Sequence, residues 1–122
     1  MKKKIQLFVY GTLRKGYANH SFFLKNAKFM GHYKTKDKFL MSCNGVPYIN
    51  KNIPKSNIIG EVYQISYPTL YYVDVLEGHP RWYYREIIKC INIKDNTKTN
   101  AYIYFNNAIG SVIIDTGDFN KK

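Results

Sequence analysis

Acids are scarce in this chain, and one of them stands where local physics disfavours it. Eight residues are Asp or Glu. Glu77 falls in the last turn of a helix predicted over 67–77, at the negative end of the macrodipole. A carboxylate there is unfavourable by about 0.3–1 kcal/mol. Asp74, three residues earlier on the same side, adds like-charge repulsion. At about 100° per residue, Glu77 projects between Leu70 and Val73. Each local influence pushes its pKa upward. A proton-accepting base works best with a pKa near the operating pH, so Glu77 is a candidate general base. The structural alternative is an ion pair with Arg81 or Arg85 in the loop that follows, and local sequence leaves both open.

The second candidate is the turn in "FVYGTLRKG", residues 8–16. A β-branched and aromatic run stops at Tyr10-Gly11-Thr12. Gly11 permits close backbone approach or a positive φ. The N–H groups after Tyr10 could then converge on a carboxylate or on the oxygen of a tetrahedral intermediate. An ordinary strand-to-loop turn is the alternative.

Other chemistries find less support. His20, His32 and His79 show no metal-ligand spacing. "YGTLRKG" lacks the Gly-Lys-Ser/Thr ending of a phosphate loop, and no serine stands in a nucleophile elbow. Cys43 and Cys90 read as small core residues. Trp82, Tyr83 and Tyr84 directly follow the helix and could wall a pocket near Glu77.

Several elements must position these groups. "KIQLFVY", 4–10, reads as a strand feeding the glycine turn. Asn19 or Ser21 caps a short helix over "HSFFLKNA". Residues 28–50 are patchy, with short strands over "KFMGHYKT", "KFLMS" and "VPYIN" and a turn at Asn44-Gly45. "NIIGEVYQIS", 57–66, alternates as a strand. The best-marked helix follows: Ser66 caps it, Pro68 suits its first turn, "TLYYVDVLE" extends it, and Gly78 with Pro80 ends it. "YYREIIKCINIK", 83–94, and "TNAYIYF", 99–105, form a hairpin around "DNT". The tail holds one more short strand and then frays. Many short strands with two modest helices predict an α+β fold, a small, closed or partly closed barrel.

The 122 residues read as one domain, and 45% apolar composition supports a packed core. Two cysteines are too few for a disulfide scaffold and point to a cytoplasmic, reducing compartment. "MKKKIQLFVYG" lacks a signal-peptide cleavage site, and no run nears the roughly 18 apolar residues of a membrane span. The net charge of +11 invites a nucleic-acid reading, but only three of nineteen basic residues are arginine and the lysines are scattered. Such charge is usually a solvated face.

Taken in order, "FVYGTLRKGYANH", "GEVYQIS" (60–66), "YVDVLEGHPRWYYRE" (72–86) and "AYIYF" (101–105) resemble the γ-glutamylcyclotransferase-like family, in particular its γ-glutamylamine cyclotransferase, or AIG2-like, branch. The likeness spans roughly residues 6–105 and implies a single domain over 1–122 with a small, mostly antiparallel β-barrel and a few short helices. It implies an enzyme whose substrate's α-amino group attacks its own γ-carbonyl, giving 5-oxoproline and a free amine or amino acid. The family's catalytic glutamate falls on Glu77. Its substrate-binding turn falls on Tyr10, Gly11, Thr12 and Leu13, and Tyr83 and Arg85 match a supporting Tyr-x-Arg. The resemblance implies no metal and no organic cofactor. The expected partner is a small γ-glutamyl molecule, with no nucleic acid, no membrane and a monomeric chain. The alternative is a non-catalytic small-ligand-binding module on the same barrel, which an ion pair between Glu77 and an arginine would favour.

Overall fold

Alternation along the first strand shows how the molecule is layered. The computed structural model describes residues 4–121. In β1 (Ile5–Val9) nearly every side chain is buried, because the strand is covered on both faces. Phe8, with Tyr10 just beyond, joins one core cluster that includes Val62, Cys90, Ile103 and Phe105. Ile5, Leu7 and Val9 point the other way, into a second cluster with Leu70 and Val73. Successive strand residues face opposite sides of a sheet, so the first cluster lies inside the barrel and the second beneath its helical cover.

The barrel closes through five strands. β2 (Lys28–Asn44) pairs with β4 (Ser56–Ile65), β4 with β1, β1 with β6 (Lys98–Phe105), β6 with β5 (Tyr84–Asn92), and β5 returns to β2. All these pairs are antiparallel except β1–β6, which is parallel. Closure leaves these five strands without a free edge along the ring. β3 (Val46–Asn50) and β7 (Val112–Ile113) pair with the far half of β2, beyond the ring.

The segment read as short separate strands over 28–44 is one 17-residue strand. Two register shifts, at Phe29/Gly31 and Lys34/Lys38, let it bend from the barrel into the β3–β7 extension. The exposed Lys36, Asp37 and Lys38 fall in the second shift and resemble a break in sequence. Buried Thr35 stitches that shift together: its Oγ1 donates to the Asp37 carbonyl at 2.7 Å and accepts from the Ile58 N–H at 2.9 Å.

Two helices cover one side. α1 (Ala18–Phe23) starts from Tyr17, which makes no side-chain cap, so neither Asn19 nor Ser21 has the expected capping role. Asn19 is inside the helix and donates to Thr12 Oγ1 at 3.0 Å. α2 (Tyr67–Glu77) follows its sequence signals closely. Ser66 Oγ accepts from the Thr69 N–H, a proline lies in the first turn, and Gly78 leaves the helix at φ +68°. The Gly78 and His79 N–H groups bond the Val75 and Asp74 carbonyls, closing the end with a left-handed glycine.

The tail does not fray. After β7, a short 3₁₀ turn (Phe119–Lys121) carries buried Asp118 and Phe119 against the body. The Gly117 carbonyl accepts from the Ile59 N–H at 2.9 Å.

Gly60 marks the tightest strand approach near the site. A Cβ there would stand 2.4 Å from the Val9 carbonyl oxygen and 2.7 Å from the Phe8 ring. Both neighbours are held in β1, so the strands must separate. Gly60→Ala is therefore expected to destabilise the fold by about 1–3 kcal/mol, read as a lower urea midpoint.

Candidate active site

The C-terminal end of α2 and the turn after β1 line one cavity. Its volume is about 210 Å³, and both Glu77 and the Tyr10-Gly11-Thr12-Leu13 turn line it. Tyr83, Tyr104, Pro47 and Trp82 complete much of the wall. The residues singled out at the two ends of the sequence argument therefore share a site, although 67 positions separate Tyr10 from Glu77.

Glu77 is partly buried and lacks a counter-charge. Among the described residues, no basic side chain forms an ion pair with it. Three tyrosine hydroxyls feel its charge, yet each gives its proton elsewhere. Tyr10 donates to the Tyr104 carbonyl at 2.7 Å, Tyr83 to the Pro47 carbonyl at 2.7 Å, and Tyr104 to Asp74 Oδ1 at 2.5 Å. A carboxyl group taken out of water without a partner favours its neutral form. Burial accordingly pushes the Glu77 pKa up to about 7.

The cause differs from the one expected. Asp74 is not a like charge acting on Glu77. Its Oδ1 accepts from Arg85 Nε at 2.8 Å as well as from Tyr104, so its charge is locally matched. Arg85 therefore pairs with Asp74 rather than Glu77, and its guanidinium lies 4.7 Å from the Tyr102 ring centroid. Arg85 does not line the cavity. It anchors Asp74, which orients Tyr104 in the wall. Tyr83 is in the wall itself, whereas Tyr84 packs towards the barrel interior.

Another part of the wall is the glycine turn. Gly11 packs so closely against Pro47 that a Cβ would stand 2.6 Å from Pro47 Cγ. The Gly11 carbonyl accepts from the Arg14 N–H at 3.0 Å, closing the turn. Among the described residues, the N–H groups of Gly11, Thr12 and Leu13 find no acceptor, and all three residues line the cavity.

Sequence reading missed what holds this turn. Arg14 is buried, 5% exposed. Its Nε donates to Glu61 Oε2 at 3.1 Å and its Nη1 to Asp118 Oδ1 at 2.8 Å. Glu61 Oε1 also accepts from the Lys15 N–H at 3.0 Å and the Tyr63 hydroxyl at 2.9 Å. A signal was present: Glu61 shares its strand face with Tyr63 and Ile65, a buried face. A lone carboxylate on such a face needs a partner. Asp118 carried no comparable signal, since only the folded tail delivers it.

Comparison with known proteins agrees with this arrangement of elements. The family model for γ-glutamyl cyclotransferase, AIG2-like, matches residues 7–121. The chain is 42% identical over 113 residues to a Methanocaldococcus jannaschii protein named "Putative gamma-glutamylcyclotransferase", covering 93% of each. It is 30% identical over 110 residues to γ-glutamylaminecyclotransferase B of Danio rerio, covering 80% of this chain and 57% of that one. The crystal structure of a mouse AIG2-like protein superposes with a TM-score of 0.84 over 95% of this chain and 88% of the other, at 22% identity, a likeness of fold.

Two stability measurements test the site. Arg14→Met strands two buried carboxylates and should cost about 3–5 kcal/mol in urea unfolding at pH 7. Glu77 should behave oppositely. With a folded-state pKa of about 7 against about 4.3 in the unfolded chain, the folded state holds the extra proton between those values. Stability therefore falls as pH rises through that window and stays lower above it. Glu77→Gln should stabilise the protein at pH 8 by about 1–3 kcal/mol, after discounting for partial exposure. At pH 4 the two proteins should unfold together.

Proposed function

The chain belongs to the γ-glutamyl cyclotransferase, AIG2-like family, and on that premise we propose that it converts a γ-glutamyl amide to 5-oxoproline and a free amine, with Glu77 as general base. The observation that carries the reading is an unpaired carboxyl group with a pKa of about 7 in a small cavity that is also lined by residues with free backbone donors. Relatives named γ-glutamylaminecyclotransferase support an amide of a simple amine as the substrate.

The reaction needs little from the protein beyond geometry and a proton carrier. Nucleophile and electrophile belong to one molecule, so no second reactant is captured. The cavity must hold the glutamyl chain folded, with the amine near the γ-carbonyl. The α-amino nitrogen attacks the γ-carbon, and its lost proton passes to the Glu77 carboxylate. The γ-oxygen becomes negative. As the tetrahedral intermediate collapses, the γ-carbon–amide nitrogen bond breaks and Glu77-H returns the proton to the departing nitrogen. One C–N bond forms and one breaks, with no water, oxidant or reductant consumed. A carboxyl group with a pKa near neutrality suits both transfers.

The N–H groups of Gly11, Thr12 and Leu13 offer donors to the anionic oxygens of this sequence, the α-carboxylate and the developing γ-oxyanion. Such donors act strongly because they are fixed before the reaction begins. Tyr10, Tyr83 and Tyr104 have their hydroxyls committed to other acceptors and serve as walls. An arginine paired with Glu77 would have favoured a purely binding module, but Arg85 is engaged by Asp74. The reading assumes a monomer acting on a small γ-glutamyl molecule, without nucleic acid or membrane. The two free, buried cysteines suit a reducing, cytoplasmic setting. No helix among the described residues is long and apolar enough to cross a membrane.

Purified protein given γ-glutamyl amides should release 5-oxoproline, detected by chromatography. Glu77→Gln should lower kcat/KM by about 10²- to 10⁴-fold with the fold intact by circular dichroism. In the wild type, kcat/KM should climb as pH rises towards about 7, because only the ionised carboxylate accepts a proton. Equal rates for wild type and Glu77→Gln would reject Glu77 as the base.

A further inference from the structure

The mouth of the cavity carries a feature that proton transfer does not use. Trp82 lines the cavity yet is 54% exposed, whereas Tyr10, Leu13, Pro47, Tyr83 and Tyr104 in the same wall are buried. The deep end is thus closed, and Trp82 stands at the rim. Its backbone is held in place. Its N–H bonds the Gly78 carbonyl at 3.0 Å, and the Tyr83 N–H bonds the Glu77 carbonyl at 3.1 Å. Its ring meets Tyr83 edge-on at 5.0 Å between centroids. The main chain of Trp82 is therefore fixed to the same helix end that carries Glu77, and its indole rests on the buried Tyr83 ring.

Charge at the site is equally selective. Glu77 is the only Asp, Glu, Lys or Arg among the described lining residues, which also include the apolar Val46 and Leu76. An ammonium group on the departing amine would find no carboxylate except the one needed for proton transfer, in a chain of net charge +11. A carboxylate on it would find no lining Lys or Arg. The volume of about 210 Å³ lies below the roughly 300–1,000 Å³ of drug-sized sites. It suits the glutamyl unit together with the near carbons of the attached amine, which meet the indole while still among the lining residues.

Resting on the cyclotransferase reading, we propose that the departing amine is uncharged and apolar or aromatic on its carbon side, and that Trp82 is the residue selecting it. Apolar surface laid on the indole leaves water, and aromatic faces add offset or edge-on attraction. This contact exists before and during bond making, so its effect falls mainly on KM.

The test compares the γ-glutamyl amides of benzylamine, methylamine and 1,4-diaminobutane by 5-oxoproline release. Wild type should prefer the benzylamide over both others by about 10-fold or more in kcat/KM, mainly through KM, the scale of one apolar contact in a pocket. Trp82→Ala should shrink that ratio to within about 3-fold, and Trp82→Phe should restore most of it. A preference for the diaminobutane amide, or a ratio that Trp82→Ala does not move, would overturn the proposal. Failure to process any of the three, the methylamide included, would instead reject the cyclotransferase reading. Binding then decides separately. Trp82 is the chain's single tryptophan, so its fluorescence reports the rim directly. In Glu77→Gln, the benzylamide should change that emission and saturate at about 10-fold lower concentration than the methylamide. Equal saturation would sink the selectivity, with or without turnover.

Discussion

The guanidinium of Arg14, held between Glu61 and Asp118 inside the protein, is the constraint on which the rest of the site depends. It ties three distant parts of the chain to one point: the turn after β1, the middle of β4, and the folded tail. A buried ion network of this kind is poor evidence of added stability, because desolvation offsets much of the attraction. What it supplies is position. The charge of Arg14 cannot leave its two carboxylates without a large penalty, so the turn immediately before it cannot wander. Residues 11–13 line the cavity directly before the pinned Arg14.

The other wall is held by a parallel device. Asp74 on α2 accepts from Arg85 and from Tyr104, fastening the helix to β5 and β6. Both acids that could crowd the site are thus neutralised away from it, Glu61 by Arg14 and Asp74 by Arg85. Of the acids that line or flank the cavity, Glu77 has no ion-pair partner among the described residues. Glu61, Asp118 and Asp74 thus anchor architecture, whereas Glu77 keeps a carboxyl group without such a partner. The difference lies in partners and solvent, not in residue type. The cost is local: a stranded carboxyl group at a helix end lowers stability at neutral pH, a common trade where function needs a perturbed group.

Tyrosine plays a corresponding role. Tyr10, Tyr83 and Tyr104 surround Glu77, and any of them could in principle have donated a hydrogen bond to it. Each is committed to a carbonyl or to Asp74. A donor to Glu77 would favour its ionised form and lower its pKa, weakening it as a proton acceptor. The orientation of three hydroxyls therefore matters as much to the site as the helix end itself.

Local signals were readable wherever a residue's role is decided by its neighbours in the chain. The boundaries of α2 follow from Ser66, the early proline and Gly78, because capping is a matter of a few residues. The alternating strand read over 57–66 and the β-type run read over 83–94 were legible for the same reason, and appear as β4 and β5. β2 was not, since its continuity across Lys36–Lys38 depends on Thr35 bridging the nearby Asp37 carbonyl and the Ile58 N–H of another strand. α1 lacks a side-chain cap because its cap position falls on Tyr17, whose hydroxyl donates to Asn120, while Asn19 lies inside the helix and donates to Thr12. The tail stayed opaque because the partner of Asp118 lies 104 residues away. Sequence by itself determined that a glutamate would end α2, that a glycine turn would follow the first strand, and that both would belong to a barrel of this family. Only the tertiary structure decided that they share one cavity, which cation goes to which carboxylate, and that burial leaves Glu77 protonatable near neutral pH. Pairing and desolvation are properties of space around an atom, and the chain's linear order does not contain them.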